Sequence, residues 1–426
     1  MAITPVAISR KVMWRLALPT IAFMLLSALD RVNISFAALQ MNGELGFTPA
    51  QYGFGAGIFF LGFLGGQYPS VLLLQRLGMH RWMALSAIVW ALCASAIALV
   101  REPVQFYVLR VVLGLAESGL APGIVLYLSQ FATDRERATT FALPMLAIPL
   151  SIVIGGPLSG WLMSIDAPWQ LASWRWMLIA EALPTVAMGV VAWFYFPDRP
   201  ADIRWLTNEE RDWLARNAAN RTDGASRNDW RVLRLPVIWS AALLWFCLLA
   251  GSYGIIFWLP QIIRQLAGAS SFQIGLINSL PWLGAMFGMY YNSRHADRTG
   301  ERFLHISTPA LLAAVCMLCA FYVGTGIAGL VLLFLAGLGL GAAQGAFWAL
   351  PTALFTPATF AVAAVAINIG GSSGGLVIPH LIGIVRQHSG GFGAPTVLVA
   401  LMMIIAAALV AYIRRTFFAA LPLRAS

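Results

Sequence analysis

The sequence is short of charge. Only 10% of its 426 residues are Asp, Glu, Lys or Arg, while 60% are hydrophobic. A soluble domain carries roughly 25% charged residues, so no water-soluble fold could hide this much apolar surface, and lipid must act as its solvent. Lysine is all but absent. Lys11 stands alone, and every other basic residue is arginine. The net charge of +10 does not point to nucleic acid, because the arginines sit in short loops between apolar stretches, where they read as topology signals. Cysteine is scarce too. Cys93, Cys247, Cys316 and Cys319 all lie inside apolar stretches without metal-ligand spacing, and read as small buried hydrophobes. There is no phosphate-binding loop, no metal cluster and no Ser–His–Asp pattern. ATP-driven transport within this chain and hydrolysis are therefore not expected, and no cofactor or metal is called for. A cleavable signal is also missing: Arg10, Lys11 and Arg15 precede a first apolar run too long for one.

What is there is a series of apolar stretches of spanning length, about 20 residues each. In the first half they are Trp14–Leu39, Ala50–Leu74, Trp82–Val100, Val104–Leu128, Thr139–Met163 and Trp174–Phe196. In the second they are Val237–Leu266, Phe272–Ser293, Phe303–Val323, Gly326–Phe355, Ala358–Val385 and Ala394–Phe417. This pattern predicts an all-α membrane protein with about twelve transmembrane helices in two six-helix halves, residues 1–197 and 236–426, joined by a polar linker at 198–235. In the linker, Thr207-Asn-Glu-Glu210 has the form of a helix cap. A surface helix is expected there, then a flexible stretch around Thr222–Ser226. With the N-terminus inside, 21 of the 27 basic residues fall on cytoplasmic segments, which places both termini in the cytoplasm. Arg76 and Gly78 after span two recur as Arg298 and Gly300 after span eight, 222 residues on in each case. Such a weak internal repeat is how many transporters are built, with a substrate site between the halves.

Ionisable groups in lipid cost about 2.5–3.5 kcal/mol each on insertion scales, so they mark function by default. Asp30 and Arg31 fall in the middle of span one, Arg110 and Glu117 in span four, and Glu181 in span six with Arg175 near that span's outer end. The second-half spans hold no acidic residue. Arg110 and Glu117 are seven residues apart, so they share a helix face but are separated by a rise near 10.5 Å, from roughly 1.5 Å per residue. Asp30 and Arg31 could fill that gap in an alternating lattice of two acids and two bases. Glu181 could pair with Arg175. The glycine run Gly370–Gly375 in span eleven is rich enough to bend or unwind the helix beside Asn368, although small residues also serve close packing.

These blocks resemble the major facilitator superfamily, and within it the anion:cation symporter family, over nearly the whole chain. The likeness runs through Asp30-Arg-Val-Asn-Ile-Ser35, Arg76-Leu-Gly-Met-His-Arg-Trp82, and above all Leu109-Arg-Val-Val-Leu-Gly-Leu-Ala-Glu-Ser-Gly-Leu-Ala-Pro-Gly123. It continues through Trp174-Arg-Trp176, Glu181-Ala-Leu-Pro184, Phe196-Pro-Asp-Arg-Pro200, Trp205-Leu-Thr-Asn-Glu-Glu-Arg211, Phe257-Trp-Leu-Pro260, Phe347-Trp-Ala-Leu-Pro351 and Ile367-Asn368. The resemblance implies a monomeric inner-membrane carrier that takes up a small organic anion with protons. By it, Arg31 would hold the substrate carboxylate, with Asn368, Trp348 and Phe63 lining the pocket. Asp30 and Glu117 would carry protons, with Arg110 as partner of Glu117. Arg76, Arg81, Asp297 and Arg298 would form the gating loops. The chain departs from the family pattern at Ala28 and Phe63, where tyrosines are common, and at Gln67 and Gln75, where acids are common. Losing two hydroxyls leans the reading towards an aromatic or less polar carboxylate. An organic anion or phosphate exchanger and a drug antiporter of the same fold stay open. The absence of Arg or Lys in Val237–Leu259 weighs against the phosphate exchanger, and an arginine in span one against the drug antiporter. A membrane enzyme or sensor would need a nucleophile, a metal site or a signalling domain, and none is visible.

Overall fold

The computed structural model describes residues 5–129, 131, 137–199, 202–219, 230–324 and 326–418. The stretch Thr222–Ser226, together with Arg135, Arg221, Arg227 and Arg424, lies outside them. The described residues form helices joined by short turns, with no strand among them. The first half comprises α1 (Pro5–Leu45), α2 (Pro49–Leu77), α3 (Met79–Ile97), α4 (Pro103–Glu117), α5 (Leu120–Ser129), α6 (Arg137–Leu162) and α7 (Ser173–Tyr195). A short helix α8 (Asn208–Ala219) follows. Then come α9 (Pro236–Ala267), α10 (Ser271–Thr299), α11 (Leu304–Val323), α12 (Ile327–Phe347), α13 (Ala349–Leu354), α14 (Pro357–Ser389) and α15 (Gly393–Ile413). Ten stretches are long and apolar enough to cross a bilayer. With α6 and α10 the chain makes twelve passes, since α4 with α5 and α12 with α13 are single passes broken at Ser118–Gly119 and at Trp348.

Local signals explain the ends. Thr48 caps α2, accepting from the backbone N–H of Gln51 while the Gln51 side chain accepts from the N–H of Thr48. Ser270 and Gln273 do the same for α10. Each such box satisfies two otherwise orphaned donors. At the far ends, Gly78 (φ 80°) and Gly300 (φ 67°) stop α2 and α10 in a conformation that favours glycine. Caps and stops are both 222 residues apart, so the repeat seen in one loop extends over the whole helix. Thr207 caps α8 through Glu210 as its sequence predicts. The backbone N–H of Thr207 also holds the Glu210 carboxyl below its ordinary range.

Helices approach closely where side chains are small. A side chain at Gly57 would strike the carbonyl of Leu376, and one at Gly156 the carbonyl of Gly275, so α2 crosses α14 and α6 crosses α10 almost backbone to backbone. The glycine run in α14 does not unwind. That helix is continuous from Pro357 to Ser389, because its glycines are filled by neighbours: Gly371 receives the Trp245 ring and Gly375 the Phe60 ring.

The contacts between the passes before α8 and those after it have a polarity. Among the described residues, hydrogen bonds joining the two sets run from Tyr52 Oη to the Phe257 carbonyl (2.9 Å), from the Ala50 amide to Gln387 (3.4 Å), between His380 and the Ala50 carbonyl (3.3 Å), and from Ser279 to the Val153 carbonyl (2.9 Å). All lie towards the end of the bundle away from the chain termini. The aromatic contact of Phe60 with Tyr253 (4.6 Å between centroids) lies deepest. The bundle is sealed at that end.

Candidate functional site

The middle of α1 carries Ser27, Asp30, Arg31 and Asn33. Residues four apart lie on one face of a helix, as do residues three apart, so Ser27 with Arg31 and Asp30 with Asn33 define two adjacent faces. The first meets α4. Arg31 Nη2 lies 3.2 Å from Glu117 Oε2, and Ser27 Oγ donates to the same oxygen at 2.7 Å. The second meets α3, where Trp90 Nε1 donates to Asp30 Oδ2 at 2.6 Å while Asn33 Nδ2 donates to Oδ1 at 3.0 Å.

The four charges do not form the expected lattice. Arg110 is wholly buried and turns to α2, donating from Nε to the Gly55 carbonyl (3.2 Å) and from Nη2 to the Ala56 carbonyl (3.1 Å), with its guanidinium over the Phe59 ring. No hydrogen bond joins it to Glu117. The rise between them leaves room for Arg31 to take the carboxylate instead. Asp30 is turned away from Arg31 altogether. Arg175 does not meet Glu181. It pairs with Glu44 at 2.9 Å and donates to the carbonyls of Ala98 and Val100, while Glu181 accepts from Ser159 Oγ at 2.7 Å.

Of Asp30, Arg31, Arg110 and Glu117, Arg31 is the one that combines charge with access. Its side chain is 18% exposed, against 0% for Glu117. Its guanidinium lies 5.3 Å from the centroid of Phe59 and 5.1 Å from that of Phe63. Its hydrogen bonds all come from one nitrogen, Nη2, and Glu117 Oε1 is buried without a partner. A carboxylate entering between the two rings would find donors ready to form a two-pronged bond. Phe63 stands one turn below Phe60, just beneath the sealed end. From the other half, Tyr253 packs against Phe60 and Phe257.

Asn368 and Trp348 belong to the C-terminal passes. Asn368 is half-buried and has no hydrogen-bond partner among the described residues. It sits two turns from Gly375 on the same face of α14, the face that meets Phe60. Trp348 is half-buried at the break between α12 and α13, edge-on to Trp245 at 5.7 Å. The indole N–H of that neighbour is buried and unpartnered. Arg76, Arg81, Asp297 and Arg298 are all exposed and form no ion pair among the described residues. The loop after α2 is held by a residue absent from the expected set: His80 Nδ1 lies 2.8 Å from Asp198 Oδ2. Sequence reasoning also passed over Ser27, Asn33, Phe59 and Trp90. Ser27 could have been found four residues before Arg31, and Asn33 three after Asp30. Trp90 carries no such mark, because its partner is on another helix.

A family model described as "Major Facilitator Superfamily" matches residues 20–379. The chain is 38% identical over 419 residues to an Agrobacterium vitis protein named "Putative tartrate transporter", covering 95% of each. It is 31% identical over 399 residues to an Acinetobacter baumannii protein named "Quinolone resistance transporter", covering 93% of this chain and 92% of that one. Among solved structures, a bacterial homolog of the human lysosomal transporter Spinster, inward-facing and unoccupied, superposes with a TM-score of 0.82 at 16% identity over the full length of both chains. The fold, the length of the match and these relatives agree: this is a multi-pass membrane transporter and not an enzyme, and it belongs to the Major Facilitator Superfamily.

Proposed function

We propose that the chain carries a small organic carboxylate together with protons, by alternating access of one central site to the two sides of the cell's inner membrane. The observation that carries this reading is the Arg31–Glu117 ion pair, formed where the guanidinium alone reaches open space. A buried pair of this kind gives little stability, but removing one charge strands the other. Protonation of Glu117 would leave Arg31 in need of an anion, and an arriving carboxylate would meet that need. Proton and substrate thus bind in concert. The bias of arginine to loops on the side of the termini supports a cytoplasmic position for both ends. The sealed end then faces outward, and the halves 1–197 and 236–426 rock about the site.

The ring walls at Phe59, Phe63 and Tyr253 favour a carboxylate with apolar or aromatic character over a heavily hydroxylated one. The relative named for tartrate supports the carboxylate, and the one named for quinolone resistance keeps drug export as the second reading. Export would not require a partly exposed arginine beside these rings. The test is uptake of labelled tartrate and benzoate into proteoliposomes under an inward proton gradient, with wild type and Arg31→Ala compared. Accumulation that collapses with the gradient, and is lost at least tenfold in Arg31→Ala, is the expected result. Undiminished accumulation by that variant rejects the reading.

A further inference from the structure

On the side of α1 away from Arg31 lies a second acidic constellation. Asp30 and Glu181 are 2% and 3% exposed, and neither forms an ion pair among the described residues. Arg31, next to Asp30 in sequence, is committed to Glu117. Arg175, on the same helix as Glu181, is committed to Glu44. The groups facing Glu181 are Asp30 and Asn33 from α1 and Ser159 from α6. From α3 comes Trp90, which serves Asp30. Of the other charges that act on Asp30, Glu117 is also an acid, and Arg110 is bonded to the Gly55 and Ala56 carbonyls and forms no ion pair with it. Two ionised carboxylates with no ion-pair partner, in a site without water access, would be very costly. One proton held between them removes the conflict.

The hydrogen bonds say where that proton rests. Both Asp30 oxygens already accept, from Trp90 and Asn33, as suits a carboxylate. Glu181 accepts on Oε1 only, and its Oε2 is buried without a partner. Thr185 is wholly buried, and its hydroxyl is unpartnered as well. It stands one turn along α7 on the same face as Glu181. The Thr185 hydroxyl can donate as well as accept, so it is the lack of any donor to Oε2, and not Thr185, that makes Glu181 the poorer site for charge and the better one for the proton. Asn33 bridges the two acids, with its amide bonded to Asp30 and facing Glu181.

We propose that Glu181 is a second proton-carrying residue, sharing one proton with Asp30 across Asn33, so that the transporter binds protons on both sides of α1. The proposal rests on the proton-coupled reading above only for its role in transport; the site itself stands apart from it. It gives the carrier two protons for each anion moved.

The test uses full-length protein in liposomes, with the proton as its own probe. Infrared spectra in H2O and D2O report protonated carboxyl groups as a C=O stretch that shifts on deuteration. Wild type at neutral pH is expected to show this band, Glu181→Gln to lose its Glu181 component, Glu181→Asp to restore it, and Glu117→Gln to keep it. Thr185→Val retains the acid and should keep the band. A band unchanged in Glu181→Gln overturns the proposal. For the role in transport, protons moved per anion are measured with whichever probe the wild type accumulates. A twofold drop in Glu181→Gln supports the proposal, and an unchanged ratio in a coupled wild type overturns that role. A Glu181 band in a wild type that accumulates nothing under the gradient leaves the proton site standing and sinks the coupling reading instead.

Discussion

Arg31 and Glu117 hold each other through one nitrogen and one oxygen, and what is left over on each side is what a carrier needs. On the proposed reading, the remaining guanidinium donors take an anion and the unpartnered Oε1 takes a proton. Glu117→Gln keeps the shape and removes the charge, so Arg31 loses its resident counter-ion. Counterflow exchange of substrate should persist. A one-unit proton gradient is worth about 1.4 kcal/mol, a factor of about ten, for each proton carried, so with two protons per anion the roughly hundredfold accumulation should fall about tenfold or more in this variant. Uphill uptake at the wild-type level would show that coupling lies elsewhere. The same residues show how far a linear reading reaches. Seven-residue spacing placed Arg110 and Glu117 on one face, and burial bears this out for both. Spacing gives faces, not partners. Arg110 found backbone carbonyls of α2, acceptors that no sequence pattern advertises.

At the scale of helices, the passes themselves were legible, since runs of apolar residues bounded by caps and glycines have few other readings. The cap of α8 at Thr207 was legible for the same reason. The behaviour of Gly370–Gly375 was not, because whether glycine loosens a helix or admits a neighbour depends on the neighbour. Here Trp245 and Phe60 occupy the space. Between helices, the sealed end is held by few polar contacts. Tyr52→Phe removes the hydrogen bond to the Phe257 carbonyl while keeping the ring against Trp258. A net loss of about 1 kcal/mol is ordinary for such a bond, and it falls on this conformation alone. Spin labels at Gln75 and Asp297, in a background lacking the four cysteines, should report a larger fraction with those loops close together, by roughly fivefold. An unaltered distance distribution would mean that Tyr52 is not part of the latch.

For the molecule as a whole, α2 and α10 share caps, stops and length at a 222-residue offset, and each crosses a helix of the opposite half. On the proposed reading the two crossings, α2 on α14 and α6 on α10, serve as paired hinges, so fixing one should arrest the cycle. A disulfide between Ala50→Cys and Gln387→Cys, in a background lacking the four cysteines, joins neighbours that are hydrogen-bonded across the sealed end. It should stop uptake when oxidised and release it under reductant, while the single variants transport normally. Transport that continues in the cross-linked protein would show that this end need not open.

The posture of the bundle also sets what an observer on each side would measure. With Phe60 and Tyr253 meeting above Arg31, a solute arriving at the sealed mouth must wait for a minority population, and its apparent dissociation constant is the intrinsic one divided by that population's share. A solute from the opposite compartment is not delayed in this way. One binding pocket will therefore present two half-saturation values, weaker from the sealed side, and their ratio measures how strongly the resting molecule prefers the posture seen here.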